Sequence, residues 1–144
     1  MFSKTCQYAI RATVYIAELS KEGRRAGLRD IAEATGSPEQ FTAKILQQLV
    51  KSDIITSSKG PTGGFEISRA RLKRIKLSQI VYAFDGDGMY KGCGLGLPKC
   101  SERQPCPVHD KFKAIRCEMK NMLESTTVYE MTDGLAEGLT FLKR

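Results

Sequence analysis

Tryptophan is absent from this sequence and histidine occurs once, as His109. One histidine leaves little for the acid–base pairs that general catalysis needs. The chain also has no nucleophile–base pair, no glycine motif for cradling phosphates and no paired acids on one helical face. It is therefore not expected to be an enzyme or to have a small-molecule substrate. No apolar run is long enough to span a bilayer. The opening residues, Met1-Phe2-Ser3-Lys4-Thr5-Cys6-Gln7, lead into an amphipathic pattern and not the apolar core of a secretory signal. These features predict a cytoplasmic protein with no membrane partner. A disulfide framework is disfavoured too, because the cysteines number five and odd counts leave a thiol unpaired.

What is present is positive charge. Lys and Arg total 23 against 16 acidic residues, a net charge of +7 over 144 residues. A balance of this kind suits a polyanion such as nucleic acid. The length is that of one ordinary domain, with room for one modest core and an oligomerisation element.

Apolar residues recur at helical spacing from Thr5 to Leu19 (Ala9, Ala12, Val14, Tyr15, Ile16, Leu19), and Lys21–Gly27 turns the chain. Leu28–Thr35 reads as a short helix stopped by Gly36. Ser37 is placed to cap a second helix, with Pro38 in its first turn and Gln40 three residues after the cap. Helix, glycine turn and helix make a helix-turn-helix. The period then changes. Ile54–Ser57 and Phe65–Ser68 read as strands around the turn Lys59-Gly60-Pro61-Thr62-Gly63-Gly64, which makes a wing. A basic connector, Arg69–Lys76, and a short apolar helix, Leu77–Phe84, follow. From Asp85 to Pro105 periodicity is lost and glycine is frequent. It returns from Pro107, where Val108, Phe112, Ile115, Met119 and Met122 form a coiled-coil-like seam. Thr126-Thr127 cap a last piece with Val128, Met131 and Leu135. The expected fold is mainly α with a small β-hairpin: a winged helix-turn-helix (1–76), a short helix and cysteine-rich loop (77–106), and a long dimerisation helix with a C-terminal segment (107–144).

Three groups of residues carry function. The first is the winged helix, which predicts double-stranded DNA as partner. Gln pairs bidentately with adenine, and Thr or Ala methyls meet thymine. Candidate contacts are Arg11, Ser37, Glu39, Gln40, Thr42, Ala43, Lys44 and Gln47, with Lys59, Gly63 and Gly64 at the wing tip, where glycines let a backbone approach phosphates. The second is Cys93-x6-Cys100-x5-Cys106-x2-His109. Thiolates and an imidazole in a glycine-rich loop bind a metal centre, either zinc or an iron–sulfur cluster. Structural zinc sites usually contain a close Cys pair, which is absent here. The third is the seam, for which a second copy of the chain is the default partner.

The whole chain resembles the Rrf-type winged-helix regulators, the family that includes IscR and NsrR. Tyr8-Ala9-Ile10-Arg11-Ala12, Asp30-Ile31-Ala32, Phe41 and Lys44-Ile45-Leu46-Gln47-Gln48-Leu49 carry the resemblance. So do Gly60-Pro61-Thr62-Gly63-Gly64-Phe65 and Ala83-Phe84-Asp85-Gly86. It implies a homodimeric repressor or activator with crossed dimerisation helices. It also implies a cluster whose state sets operator affinity, a redox sensor bound by Cys93, Cys100 and Cys106. His109 stands where the IscR-like branch has its fourth ligand to a [2Fe–2S] cluster. The first Cys gap is six residues where the family usually has five, which leaves [4Fe–4S] as the second choice. The NsrR-like branch draws an acidic ligand from the first helix. Gln7 occupies that position here, next to Cys6, an alternative ligand. A zinc- or thiol-based regulator without a cluster is the other reading of the same residues.

Overall fold

The structure is a computed structural model describing residues 1–143. Helix α1 (Lys4–Lys21) starts at Ser3, whose Oγ accepts from the Cys6 N–H at 3.1 Å. Its buried residues include Cys6, Ala9, Ala12, Val14, Ile16 and Ala17, and the small ones among them let neighbouring helices approach on more than one side. Helix α2 (Leu28–Thr35) ends at Gly36 in the left-handed conformation, φ 67°. The Ser37 N–H then returns to the Ala32 carbonyl at 3.0 Å, satisfying one of the carbonyls a helix end leaves open.

Helix α3 (Glu39–Lys51) begins later than the sequence suggests. Pro38 occupies the cap with an extended ψ of 142°, and its carbonyl accepts from both the Thr42 N–H and the Thr42 hydroxyl at 2.9 Å. The expected Ser37–Gln40 capping box does not form. Ser37 is drawn into the α2–α3 turn, and its Oγ is buried without a hydrogen-bond partner.

Strands β1 (Thr56–Ser58) and β2 (Gly64–Glu66) pair antiparallel, with Ser57 opposite Phe65. Ile54, Ile55 and Ile67, expected within strands, are core residues flanking them. Ala26 adds a bridge on the other side of β2: its N–H donates to the Phe65 carbonyl at 2.9 Å, and its carbonyl accepts from the Phe65 N–H at 2.8 Å.

Helix α4 (Arg69–Leu72) forms within the basic connector, and α5 (Leu77–Asp85) and α6 (Gly88–Lys91) follow. Helix α7 (His109–Ser125) is the long helix, and it starts at His109 itself. Helix α8 (Val128–Met131) is capped by Thr127, whose Oγ1 accepts from the Glu130 N–H at 3.0 Å while Glu130 accepts from the Thr127 N–H at 2.8 Å. Leu135 lies beyond that helix. The Thr127 segment also bridges to Lys76, with the Leu77 N–H donating to Thr126 and the Val128 N–H to Ile75, both at 2.9 Å.

One hydrophobic cluster joins α1, the helix-turn-helix, Ile54, Ile55 and Ile67 to Leu77, Ile80, Val81, Leu123 and Val128. The core is thus continuous across the segment boundaries expected at 76/77 and 106/107.

The wing glycines serve the hairpin's own closure. A Cβ on Gly64 would lie 2.8 Å from the Ala26 carbonyl oxygen at a φ of +138°, and one on Gly63 would lie 2.3 Å from the Ser58 carbonyl oxygen. Gly64→Ala is expected to cost about 1–3 kcal/mol, as overpacking against backbone does. Gly88→Ala, where a Cβ meets nothing within 4 Å, should stay within about 0.5 kcal/mol of the parent. Chemical denaturation of both variants checks this, and equal midpoints would contradict it.

Candidate nucleic-acid interface and cysteine centre

The α3 surface follows from its apolar face. Ile45, Leu46 and Leu49 go inward, which leaves Glu39, Gln40, Lys44 and Gln47 exposed and Ala43 half-buried. Thr42, expected on the outer face, is only 2% exposed and spends its hydroxyl on Pro38. Ser37 is buried in the turn. Neither side chain reaches the surface as it stands. Glu39 is exposed but engaged, with its carboxylate 3.4 Å from Arg29 Nε.

Tyr8 on α1 meets Phe41 on α3 edge to face, with ring centroids 5.6 Å apart at 85°. The Arg11 guanidinium sits 4.5 Å and the Lys4 ammonium 5.9 Å from the Tyr8 ring centroid. This stack brings two cations beside the recognition helix. On the other side, Lys59 is exposed at the wing tip. Arg25, which the sequence does not single out, braces the wing. Its Nη1 donates to the Thr62 carbonyl at 3.0 Å and its Nε lies 3.3 Å from Glu66. The basic connector is partly pinned as well, since Arg71 bonds the carbonyl and pairs with the carboxylate of Asp53.

The second site is the loop from Gly92 to Val108, laid along α7. Gly94 packs so tightly on Phe112 that a Cβ there would lie 2.6 Å from its ring. Glu102 pairs with Lys113. Cys100 Sγ stands 3.4 Å from His109 Nδ1, and Arg116 Nη2 donates to the same sulfur at 3.2 Å. His109 is only 7% exposed, and its Nε2 is buried with no hydrogen-bond partner. Cys93 and Cys106 lie on the same loop, both half-buried. The Leu95 N–H foremost, then the Leu97 N–H, hold the Cys93 thiol below its ordinary range.

Among the described residues, no group of three or more His, Cys, Asp or Glu side chains closes around one point. Cys100 and His109 stand side by side, with Cys93 and Cys106 elsewhere on the same loop. Their chemistry nonetheless fits a thiolate-bound iron centre: three thiols, one imidazole and an orphaned ring nitrogen on a single loop–helix unit. Cys6 does not join them. It is fully buried under α1, and its thiol is pushed up to about 12, by burial first and then by Asp85. It stands in the hydrophobic core cluster. Cys117 is exposed on α7.

Asp85, the last residue of α5, accepts from the Ser3 N–H at 2.8 Å and from the Ser3 hydroxyl. The end of α5, which leads through α6 into the cysteine loop, is thereby fastened to the N-terminus of α1. The sequence marks Asp85 only as the end of a helix. For Arg116 a signal was available: it follows His109 by seven residues, two helical turns, and so shares its face.

The family model "Rrf2: Iron-dependent Transcriptional regulator" matches residues 2–134. A protein of Aquifex aeolicus, named provisionally as an HTH-type transcriptional regulator, is 32% identical over 133 residues, covering 91% of this chain and 90% of its own. The HTH-type transcriptional regulator IscR of Photorhabdus laumondii is 24% identical over 127 residues, covering 88% of this chain and 76% of its own. Among solved structures, CymR (YrzC), the global cysteine regulator of B. subtilis, superposes with a TM-score of 0.73 at 19% identity, covering 92% of this chain and 95% of its own. IscR of T. potens gives 0.72 at 19% identity, covering 97% and 91%. The fold is that of winged-helix regulators in both comparisons. With a family match over nearly its whole length and relatives that regulate transcription and are not enzymes, the chain belongs to the Rrf2 family of DNA-binding transcriptional regulators.

Proposed function

We propose that this regulator is a homodimer whose operator affinity responds to an iron–sulfur cluster, of the [2Fe–2S] type, held by Cys93, Cys100, Cys106 and His109. The observation that carries this reading is His109: a buried imidazole beside Cys100 with its second nitrogen unpartnered, on the same loop–helix unit as Cys93 and Cys106. Buried polar groups are normally satisfied, so an orphan at a thiol-rich site calls for a ligand. Bound there, the cluster supplies a centre that gains or loses an electron.

The chain's own residues do the rest. The loop is fastened to α7 through Phe112, Lys113 and Arg116, and α5, which leads into it through α6, is fastened through Asp85 to Ser3 at the head of α1. A rearrangement between 93 and 106 therefore acts on α1. From α1 it reaches α3 through the Tyr8–Phe41 contact. Switching requires two arrangements with different DNA affinity.

The proposed dimer rests on α7, where only His109 and Leu123 are buried while Ile115 and Met122 are 54% and 46% exposed. Phe112 and Met119 turn toward their own chain, so the expected seam is split, and its outer half is free for a second copy. A dimer would set two recognition helices in successive major grooves, with half-site centres about one helical turn apart. Glu39, Gln40, Ala43, Lys44 and Gln47 would face bases or phosphates, flanked by Arg11 and by Lys59 on the wing.

Anaerobic purification followed by absorption spectroscopy and metal analysis tests the centre. Visible bands with near-equal iron and sulfide are expected, and His109→Ala should lose the cluster faster. A colourless protein holding zinc, or no metal after reconstitution, would establish the zinc- or thiol-based alternative. Binding to DNA should weaken steeply with salt. Lys44→Ala and Lys59→Ala should each lower the slope of log K against log salt by about 1.8, one phosphate contact in each of the dimer's two subunits. Slopes identical to the parent would remove both residues from the interface. Met122→Glu should shift the protein toward monomer in analytical ultracentrifugation, and an unchanged dimer would place the interface elsewhere.

A further inference from the structure

We propose that Arg116 is the charged partner of the Cys100 sulfur and holds the reduction potential of the bound cluster higher than it would otherwise be. This inference rests on the cluster reading above and assigns a role to a residue outside its ligand set.

Arg116 Nη2 lies 3.2 Å from Cys100 Sγ, on the face of α7 that also presents His109, whose Nδ1 is 3.4 Å from the same sulfur. The arrangement follows from helix geometry. Residues seven apart are nearly in line, so the first turn of α7 supplies the imidazole and the third supplies the guanidinium. Arg116 is half-buried, and among the described residues no carboxylate lies within ion-pairing distance of it. Its neighbours on α7 behave differently, with Lys113 committed to Glu102 and Lys120 to Glu124. The one charge on this face not paired with an acid is thus the one aimed at the thiol loop.

The direction of the effect follows from electrostatics. Reduction adds one electron to the cluster and its ligand sulfurs. A cation donating an N–H to one of those sulfurs stabilises the more negative, reduced state more than the oxidised one. Hydrogen bonds to ligand sulfurs and local net charge are established determinants of cluster potential. Lysine keeps the charge but lacks the planar fork that directs the bond.

The experiment is an optical redox titration of anaerobically reconstituted full-length protein: parent, Arg116→Lys and Arg116→Gln. Arg116→Gln should lower the midpoint so that the reduction equilibrium falls about tenfold, or about 59 mV for a one-electron couple. Arg116→Lys should fall between that variant and the parent. Equal midpoints in parent and Arg116→Gln would overturn the role of Arg116 while leaving the cluster in place. Should Arg116→Gln fail to fold or to take up iron, Arg116→Lys decides alone, and a midpoint equal to the parent's would overturn the inference. A parent protein that takes up no iron and sulfide on reconstitution would overturn the cluster reading, and this inference with it.

Discussion

Burial of helix α1 is the constraint on which the rest of the structure depends. Its alanines and Val14 admit α2, α3, α5 and α8 against it, within a single core cluster. Each fully buried Val, Ile or Leu side chain contributes on the order of 1.5–3 kcal/mol, whereas a typical polar contact contributes about 0.5–1.5 kcal/mol net. The apolar faces therefore place the elements. The Tyr8–Phe41 contact, the Arg25 brace and the Asp85–Ser3 latch then set their orientations.

That order of strengths has a consequence for signalling. The segment between Gly92 and Val108 buries little: Leu95 and Leu97 are half exposed, and its fastenings are mainly polar. Segments with few buried apolar contacts open at lower free energy than the core that carries them. The cysteine loop is thus a weakly held part of the molecule, attached along its length to α7. A change in the loop is more readily accommodated by re-orienting elements at their polar fastenings than by repacking Ile16, Leu46 or Ile80.

Much of this architecture was legible in the sequence. Helical periodicity located α1, α2, α3, α5 and α7, and the glycine-rich turn located the wing, because burying one face of each element demands that pattern. The cysteine spacing and His109 pointed to one loop–helix unit, and the structure puts Cys100 beside His109. The misreadings share a cause. Ser37 as a helix cap and Thr42 as an outward residue are each reasonable locally. Each was overridden by a neighbour that only the fold supplies: the extended Pro38 and the Pro38 carbonyl.

The sequence by itself determined the element types, the order helix-turn-helix then wing, the basic charge and the donor chemistry of the loop, since these depend on local pattern and composition. Tertiary structure decided what proximity alone can decide. It buried Cys6 in the core, joined Asp85 to Ser3 across 82 residues, and folded the Thr127 segment back beside Lys76. It also divided the α7 seam between the chain's own core and the outside, and turned Arg116 onto the Cys100 sulfur. Contacts between residues far apart in sequence leave no periodic trace along the chain, because they arise from how the buried faces pack and not from any single segment.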